Sequence, residues 1–270
     1  MIRIVLTSFA LGLLSFTTPT SVSPEESAKL LPAVNSAVNT NDGSLSYHDK
    51  ELAFDTHLQE VYQQAGLKSK GLEYSVFRKA YIGYQNFQIK KLSSDSKAIL
   101  TVVDFTKPSN AKRMWIIDLD ARKLLINTLV AHGRNTGNAT ADKFSNKPNS
   151  YMSSLGFYLT DATYYGKHGL SLRLSGMDEV YNSNAMERAI VVHGADYATD
   201  AFIKQYGRLG RSLGCPAVPK ELSKDVIETI KDKTVLYIHG NDKSYTSDFL
   251  NEMGAINAFA ANNMADVVKV

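Results

Sequence analysis

The sequence contains only one cysteine, Cys215, among its 270 residues. A disulfide within the chain is therefore excluded, as are zinc sites built from paired cysteines. An unpaired cysteine has three possible roles: a small buried hydrophobic side chain, an intermolecular disulfide, or a reactive thiol. The residues around Cys215 have to decide among them.

The sequence also lacks a strong charge of either sign. It has 30 Lys and Arg against 27 Asp and Glu, a net charge of +3, and no dense run of basic residues. We therefore expect no nucleic acid partner, because binding to a phosphate backbone needs clustered cations. The small positive excess is compatible with an anionic polymer and does not by itself indicate one.

Long hydrophobic runs are missing as well. The main one covers residues 4–16, after Arg3 and before the small polar residues 17–23. This order is typical of a secretory signal peptide, which we predict over residues 1–23. The alternative, an uncleaved anchor, is disfavoured because about 13 apolar residues are too few to cross a bilayer. We expect an exported protein of the periplasm or cell envelope, with no stable membrane span after cleavage.

The rest of the chain has the composition of a globular protein, with 44% hydrophobic and 21% charged residues. We predict a linker and helical N-terminal region over 24–95, a main domain over 96–240 and a C-terminal tail over 241–270. Apolar spacing predicts helices over 49–65, 72–87 and 220–230. Short runs rich in branched residues predict strands, and few helices separate them, so the main domain should be mainly β. The predicted strands cover 98–105, 115–119, 124–131, 155–159, 170–174, 188–192 and 234–238.

One stretch carries the residue types of a thiol enzyme. A hydrophobic run ends at His193 and Gly194, and the sequence Ser212-Leu213-Gly214-Cys215-Pro216 follows. A histidine within reach can take the thiol proton, and we expect it to hold the pKa of Cys215 well below that of a free thiol. Gly214 lets backbone N–H groups converge on an oxyanion, and Gly194 is expected to allow a sharp turn.

These residues resemble the signature of the L,D-transpeptidase catalytic domain, or YkuD domain: His-Gly, a spacer, then Ser-x-Gly-Cys. SSLGFYLT at 153–160, WIIDLDARKLLIN at 115–127 and the ending GCPAVP extend the resemblance towards the murein L,D-transpeptidase branch. It covers roughly 96–240, and residues 24–95 match only loosely.

The resemblance implies a β-sandwich fold and acyl transfer on peptidoglycan stem peptides without a cofactor. Cys215 would be the nucleophile, His193 the base and Ser212 the motif serine, while the Gly194 carbonyl would orient the imidazole. The oxyanion would bind backbone amides of the cysteine turn, at Leu213, Gly214 and Cys215.

One position departs from the family pattern. The better-known branch has an arginine two residues after its cysteine, and here that place is Ala217. Substrate contacts would have to come from elsewhere, with Arg208, Arg211 and His168 as candidates. Each arginine could equally be a solvated loop charge.

Three other readings remain open. A metal site at His168, His193 and Asp196 is disfavoured because no metal-binding spacing is present, and we expect none. A catalytically silent wall-binding module could keep the same fold. Finally, water could resolve the same thioester, which would make the chain an L,D-carboxypeptidase or endopeptidase.

Overall fold

The computed structural model describes residues 45–263. The predicted signal peptide over 1–23, the first part of the predicted linker and the last residues of the predicted tail lie outside these described residues.

Five α-helices form in the described chain. Helix α1 begins after Ser46, whose side chain accepts a hydrogen bond from the Asp49 N–H at 3.2 Å and so caps the helix. The first two helices and α4 correspond to the three predicted helices. The full set is α1 (Tyr47–Gln64), α2 (Tyr74–Ile89), α3 (Asp200–Tyr206), α4 (Ser223–Ile230) and α5 (Glu252–Asn263). None of them combines the length and hydrophobicity that a membrane span requires, as far as residues 45–263 show.

Eight strands form one mixed sheet in the order β3-β2-β1-β8-β4-β5-β6-β7. The pairs β1–β8 and β6–β7 are parallel, and the other neighbours are antiparallel. The strands are β1 (Ile99–Asp104), β2 (Met114–Asp118), β3 (Lys123–Thr128), β4 (Gly156–Gly166), β5 (Gly169–Gly176), β6 (Val191–Ala195), β7 (Ala217–Pro219) and β8 (Val235–His239).

The two edges of the sheet approach each other. Beyond β3, the Ala131 N–H donates to the Ala217 carbonyl on β7 at 2.8 Å. Two residues further on, Gly133 bridges to Ser212, and the Arg134 N–H donates to the Ser212 carbonyl at 2.8 Å. The sheet is therefore nearly closed, and the segment that carries Cys215 lies where its edges meet.

Both faces of the central strands of the sheet are buried. One face packs against α1, α2 and α5 through Leu100, Val102 and Tyr237, among others. The opposite face packs against α4 and includes Val103 and Leu236. Burial on both sides explains why the strands read as nearly continuous hydrophobic runs and not as alternating ones.

The predicted mainly β fold with a helical N-terminal region is confirmed, and two details need correction. His193 lies inside β6, not at the end of a strand, because β6 begins at Val191 and continues through Ala195. The segment expected to be a tail contains α5, which packs against α1 and α2. Phe259 of α5 meets Phe54 of α1 edge to face, with ring centroids 5.4 Å apart.

Candidate active site

His193 is held between two strands. It pairs with Ser171 of β5 and Ala217 of β7, and only 3% of its surface is exposed. Its Nδ1 lies 3.0 Å from the Gly194 carbonyl oxygen. Because a carbonyl only accepts, Nδ1 carries the proton and Nε2 is left with a free lone pair. Burial lowers the pKa of His193, which outweighs the opposing effect of the Gly194 carbonyl. The imidazole is therefore a neutral base.

Gly194 has a different role from the predicted turn. It lies within β6, where the chain continues straight. A methyl group placed on Gly194 would lie 2.7 Å from Ser223 Oγ and 3.1 Å from the Lys220 Cα. Glycine is therefore required because the segment leading into α4 crosses directly over the residue after the histidine.

Ser212 fixes the turn that presents the cysteine. Its hydroxyl donates to the Cys215 carbonyl at 2.6 Å and accepts from the Gly214 N–H at 3.0 Å. Gly214 has φ +128°, and a methyl group there would lie 2.8 Å from the Met152 carbonyl oxygen. From the other side, the Ser153 hydroxyl donates to the Gly214 carbonyl at 3.1 Å. The turn is thus tied both to itself and to the segment before β4.

The hydrogen bonds within the cysteine turn determine which of the predicted oxyanion donors are available. The Gly214 N–H already donates to the Ser212 hydroxyl. The N–H groups of Leu213 and Cys215 have no hydrogen-bond acceptor within residues 45–263. Of the three amides expected to bind an oxyanion, two are therefore free to do so in this arrangement.

The Cys215 thiol is partly exposed, and its hydrogen bond goes to backbone. Sγ donates to the Ala189 carbonyl at 3.7 Å, and no hydrogen bond joins it to His193 in the described chain. Burial raises the pKa of Cys215, and the Val191 N–H and Arg188 guanidinium reduce this rise without reversing it. The direction is opposite to the depressed pKa expected from sequence, because desolvation of the thiolate outweighs the nearby donors and cations. The resting pair is therefore a thiol and a neutral imidazole.

The three candidate substrate-binding residues have different surroundings. The His168 ring stacks on the His193 ring, with centroids 4.2 Å apart. Arg208 instead donates to the adjacent Leu209 carbonyl at 2.7 Å. Arg211 donates to the carbonyls of Arg134 and Gly137 at 3.3 and 3.1 Å. The structure thus brings His168 to the predicted base, while both arginines hydrogen-bond to loop carbonyls.

Two residues near the thiol were not predicted. Burial, with a smaller contribution from Cys215, raises the pKa of Tyr197 to about 12. Arg188 is half-buried and interacts electrostatically with Cys215. Both residues lie in the segment RAIVVHGADY at 188–197, which also contains His193 and resembles the family pattern, but residue type alone gave neither of them a role.

The histidines are not arranged as a metal site. Within residues 45–263, no three His, Cys, Asp or Glu side chains come together in a group that could hold a metal ion. Asp196, one of the imagined ligands, pairs instead with Lys220 at 3.3 Å.

The segment that carries the Cys215 thiol continues into β7, which pairs with the strand that carries the buried, neutral His193 imidazole. The family model of the L,D-transpeptidase catalytic domain matches residues 68–239. The chain belongs to this family, and the match begins before α2 and so includes part of the helical region. No curated protein matches the chain significantly.

Several solved structures are similar at low identity. An L,D-transpeptidase from Mycobacterium smegmatis shares 12% identity at a TM-score of 0.34, covering 53% of this chain and 59% of its own. The helical cell shape determining protein Pgp2 from Campylobacter jejuni shares 11% at a TM-score of 0.39, covering 70% and 67%. An L,D-transpeptidase from Stackebrandtia nassauensis shares 13% at a TM-score of 0.33, covering 70% and 78%. The chain thus spans about three-fifths of the mycobacterial enzyme.

Proposed function

We propose that the chain is a peptidoglycan-modifying cysteine acyltransferase of the L,D-transpeptidase type, acting in the cell envelope. The observation that carries the proposal is the state of His193. Its Nδ1 donates to the Gly194 carbonyl, which leaves Nε2 of the neutral imidazole free to accept a proton. His193 lies on β6, and β6 pairs with β7, the strand that follows the cysteine turn. Family membership supports the peptidoglycan stem peptide as substrate.

In the first half-reaction, Sγ of Cys215 attacks the carbonyl carbon of the L,D-peptide bond in a donor stem. The thiol proton passes to Nε2 of His193 as the carbon–sulfur bond forms, so no stable thiolate is needed beforehand. The negative charge on the former carbonyl oxygen is stabilised by the free N–H groups of Leu213 and Cys215. Collapse breaks the carbon–nitrogen bond, and His193 returns the proton to the departing amine.

In the second half-reaction, an amine of an acceptor stem attacks the thioester carbon. His193 Nε2 takes a proton from this amine and delivers it to the leaving sulfur of Cys215. A new amide and the free thiol result, and every proton is accounted for by one imidazole. The His168 ring covers one face of the His193 ring from the β4–β5 turn. A substrate that approaches His193 from this turn passes His168, so we infer that His168 helps to select substrates.

The test is incubation with purified peptidoglycan fragments, followed by mass spectrometry of the products. Cross-linked dimers that disappear in Cys215→Ala and His193→Ala support the proposal. Stems trimmed without cross-links would replace it with a carboxypeptidase or endopeptidase, in which water resolves the thioester. Unchanged fragments that still bind the protein, with or without Cys215, would indicate a wall-binding module.

A further inference from the structure

Arg188 lies in a hydrogen-bonded turn just before β6. The N–H groups of Arg188, Ala189 and Ile190 donate to the carbonyls of residues 184–186 at 2.9, 3.0 and 2.9 Å. Ala189 has φ +51°, a left-handed conformation that costs roughly 1–2 kcal/mol for a residue with a Cβ. This conformation accompanies the hydrogen bond from Cys215 Sγ to the Ala189 carbonyl. The carbonyl that binds the thiol and the main chain of Arg188 therefore belong to the same hydrogen-bonded turn.

The Arg188 guanidinium holds the segment 145–154, which leads into β4. Nη1 donates to the Ser145 carbonyl at 2.7 Å and also to the Ser154 hydroxyl. Nη2 donates to the Met152 carbonyl and, at 3.3 Å, to the Ser150 hydroxyl. One planar cation thus makes four contacts to a segment that has no regular secondary structure of its own.

The same guanidinium lies against the cysteine turn. A methyl group placed on Gly214 would lie 3.2 Å from Arg188 Nη2 and 2.8 Å from the Met152 carbonyl that Nη2 binds. The absence of a side chain at Gly214 is what allows the arginine and its segment to approach the residue before Cys215. The cation and the nucleophile therefore share one side of the turn.

We propose that Arg188 is a positioning residue of the Cys215 site, which clamps segment 145–154 onto the cysteine turn and sets a fixed cation beside the sulfur. The inference rests on the proposed role of Cys215 as nucleophile.

The effect on the thiol follows from the charges around it. Arg188 and Lys167 lower the pKa of Cys215, whereas burial raises it more strongly. Tyr197 faces Cys215 from the segment after β6, and Tyr158 of β4 faces Arg188. Both phenols are neutral at physiological pH, because burial raises their pKa values. Arg188 is thus the half-buried cation on this side of the sulfur, and removing it should make the thiol harder to ionise.

The experiment measures the rate at which iodoacetamide alkylates Cys215 as a function of pH, by intact mass, in Arg188→Gln and Arg188→Lys. Each modified molecule carries one adduct, since the chain has a single cysteine. We expect Arg188→Gln to raise the alkylation midpoint by about one pH unit. Arg188→Lys keeps the charge but not the four contacts, so its midpoint should stay near that of the wild type. In both variants, amide hydrogen exchange in segment 145–154 should become faster.

Arg173→Gln is the matched control. It removes the same charge from the neighbouring strand, where Arg173 is exposed and lies over the Tyr164 ring at 4.9 Å. Neither the midpoint nor the exchange should change. An unchanged midpoint in Arg188→Gln, or an equal rise in both Arg188 variants, would overturn the inference. If Arg188→Gln does not fold, the test rests on Arg188→Lys. The inference is then contradicted if the alkylation midpoint of Arg188→Lys rises by a full pH unit, or if amide hydrogen exchange in segment 145–154 is unchanged. Because alkylation needs no peptidoglycan, this result and the proposed acyl transfer can fail separately.

Discussion

His168 lies on the face of His193, with the ring centroids 4.2 Å apart and the planes inclined by 27°. His168 belongs to the tight turn between β4 and β5, and β5 is the direct neighbour of the strand that carries His193. The stack shields His193 from water, Lys167 adds positive charge beside it, and His168 adds a like charge when it is protonated. All three effects disfavour the imidazolium form of His193.

The first prediction is that His168→Ala raises the pKa of His193. Removing the ring admits water and removes a group that can carry a like charge, and both changes stabilise the protonated base. Because the proposed mechanism requires neutral His193, the acid limb of the pH–rate profile should move to higher pH. An NMR titration of the His193 ring measures the shift directly. Tyr165→Ala is the control, since Tyr165 is in the same hairpin but 83% exposed. A pKa that stays constant or falls in His168→Ala would contradict this account.

The second prediction concerns the resting state of Cys215. Since burial raises the pKa of the thiol and lowers that of His193, the two should be neutral together at pH 7. We expect iodoacetamide to modify Cys215 more slowly in the folded protein at pH 7 than in denaturant, and the rate to climb steeply into the alkaline range. Cys215→Ala gives the blank. Faster alkylation in the folded state at pH 7 would instead reveal a preformed thiolate–imidazolium pair.

Sequence patterns predicted the strands well where both faces of the sheet are buried. The runs that became β1 and β8 are mostly apolar because the N-terminal helices cover one face while α4 packs on the other. The residues of the candidate site could also be singled out from the sequence, since a lone cysteine follows a glycine and a histidine precedes one. His193 and Cys215 are 22 residues apart in the sequence, and that spacing does not show that they are neighbours. They are brought together because β6 and β7 are parallel neighbours in the sheet.

Features that depend on contacts between residues distant in the sequence were not predicted. Helix α5 is rich in Ala and Asn and has hardly any amphipathic pattern, because its partners α1 and α2 supply most of the aromatic surface. Gly194 was taken for a turn because the segment that crosses it, at Lys220 and Ser223, is remote in sequence. The direction of the Cys215 pKa shift depends on burial of the sulfur, which residue types alone do not reveal.

The third prediction concerns Ser212, which joins the Gly214 N–H to the Cys215 carbonyl through one hydroxyl. Ser212→Ala should lower the rate of acyl transfer by on the order of 10- to 100-fold, because the thiol and its oxyanion donors lose their fixed geometry. Global stability should fall by only about 1–2 kcal/mol, the usual contribution of one or two hydrogen bonds.

Ser212→Thr is the matched control, because it retains the hydroxyl. It should keep most of the activity if its added methyl group is accommodated, and a circular dichroism melt checks the fold of both variants. Wild-type transfer rates in Ser212→Ala would show that the turn keeps its geometry without this side chain.

The last prediction concerns the buried pair behind the cysteine turn. Arg113 Nη2 lies 2.8 Å from Nδ1 of His132, and both side chains are fully buried. Because a guanidinium only donates, Nδ1 accepts and the histidine proton is on Nε2, which makes no well-formed hydrogen bond within the described residues although the backbone of Gly137 and Asn138 lies nearby. The His132 carbonyl accepts the Ser212 N–H at 2.9 Å, so the pair supports the site from behind.

Burial, reinforced by the Arg113 charge, lowers the pKa of His132 to about 4. In the unfolded chain this histidine titrates near 6.5, so between these two values the unfolded state binds more protons than the folded state. Stability should therefore be indifferent to His132 above about pH 6.5 and fall as the pH drops towards 4, by roughly 3 kcal/mol from this residue. His132→Asn retains an acceptor for Arg113 but cannot titrate. Urea unfolding of both proteins at pH 7 and pH 4.5 should give a smaller pH-dependent loss for His132→Asn. Equal losses would mean that His132 is protonated in the folded state too, and that Arg113 yields its contact to accommodate the charge.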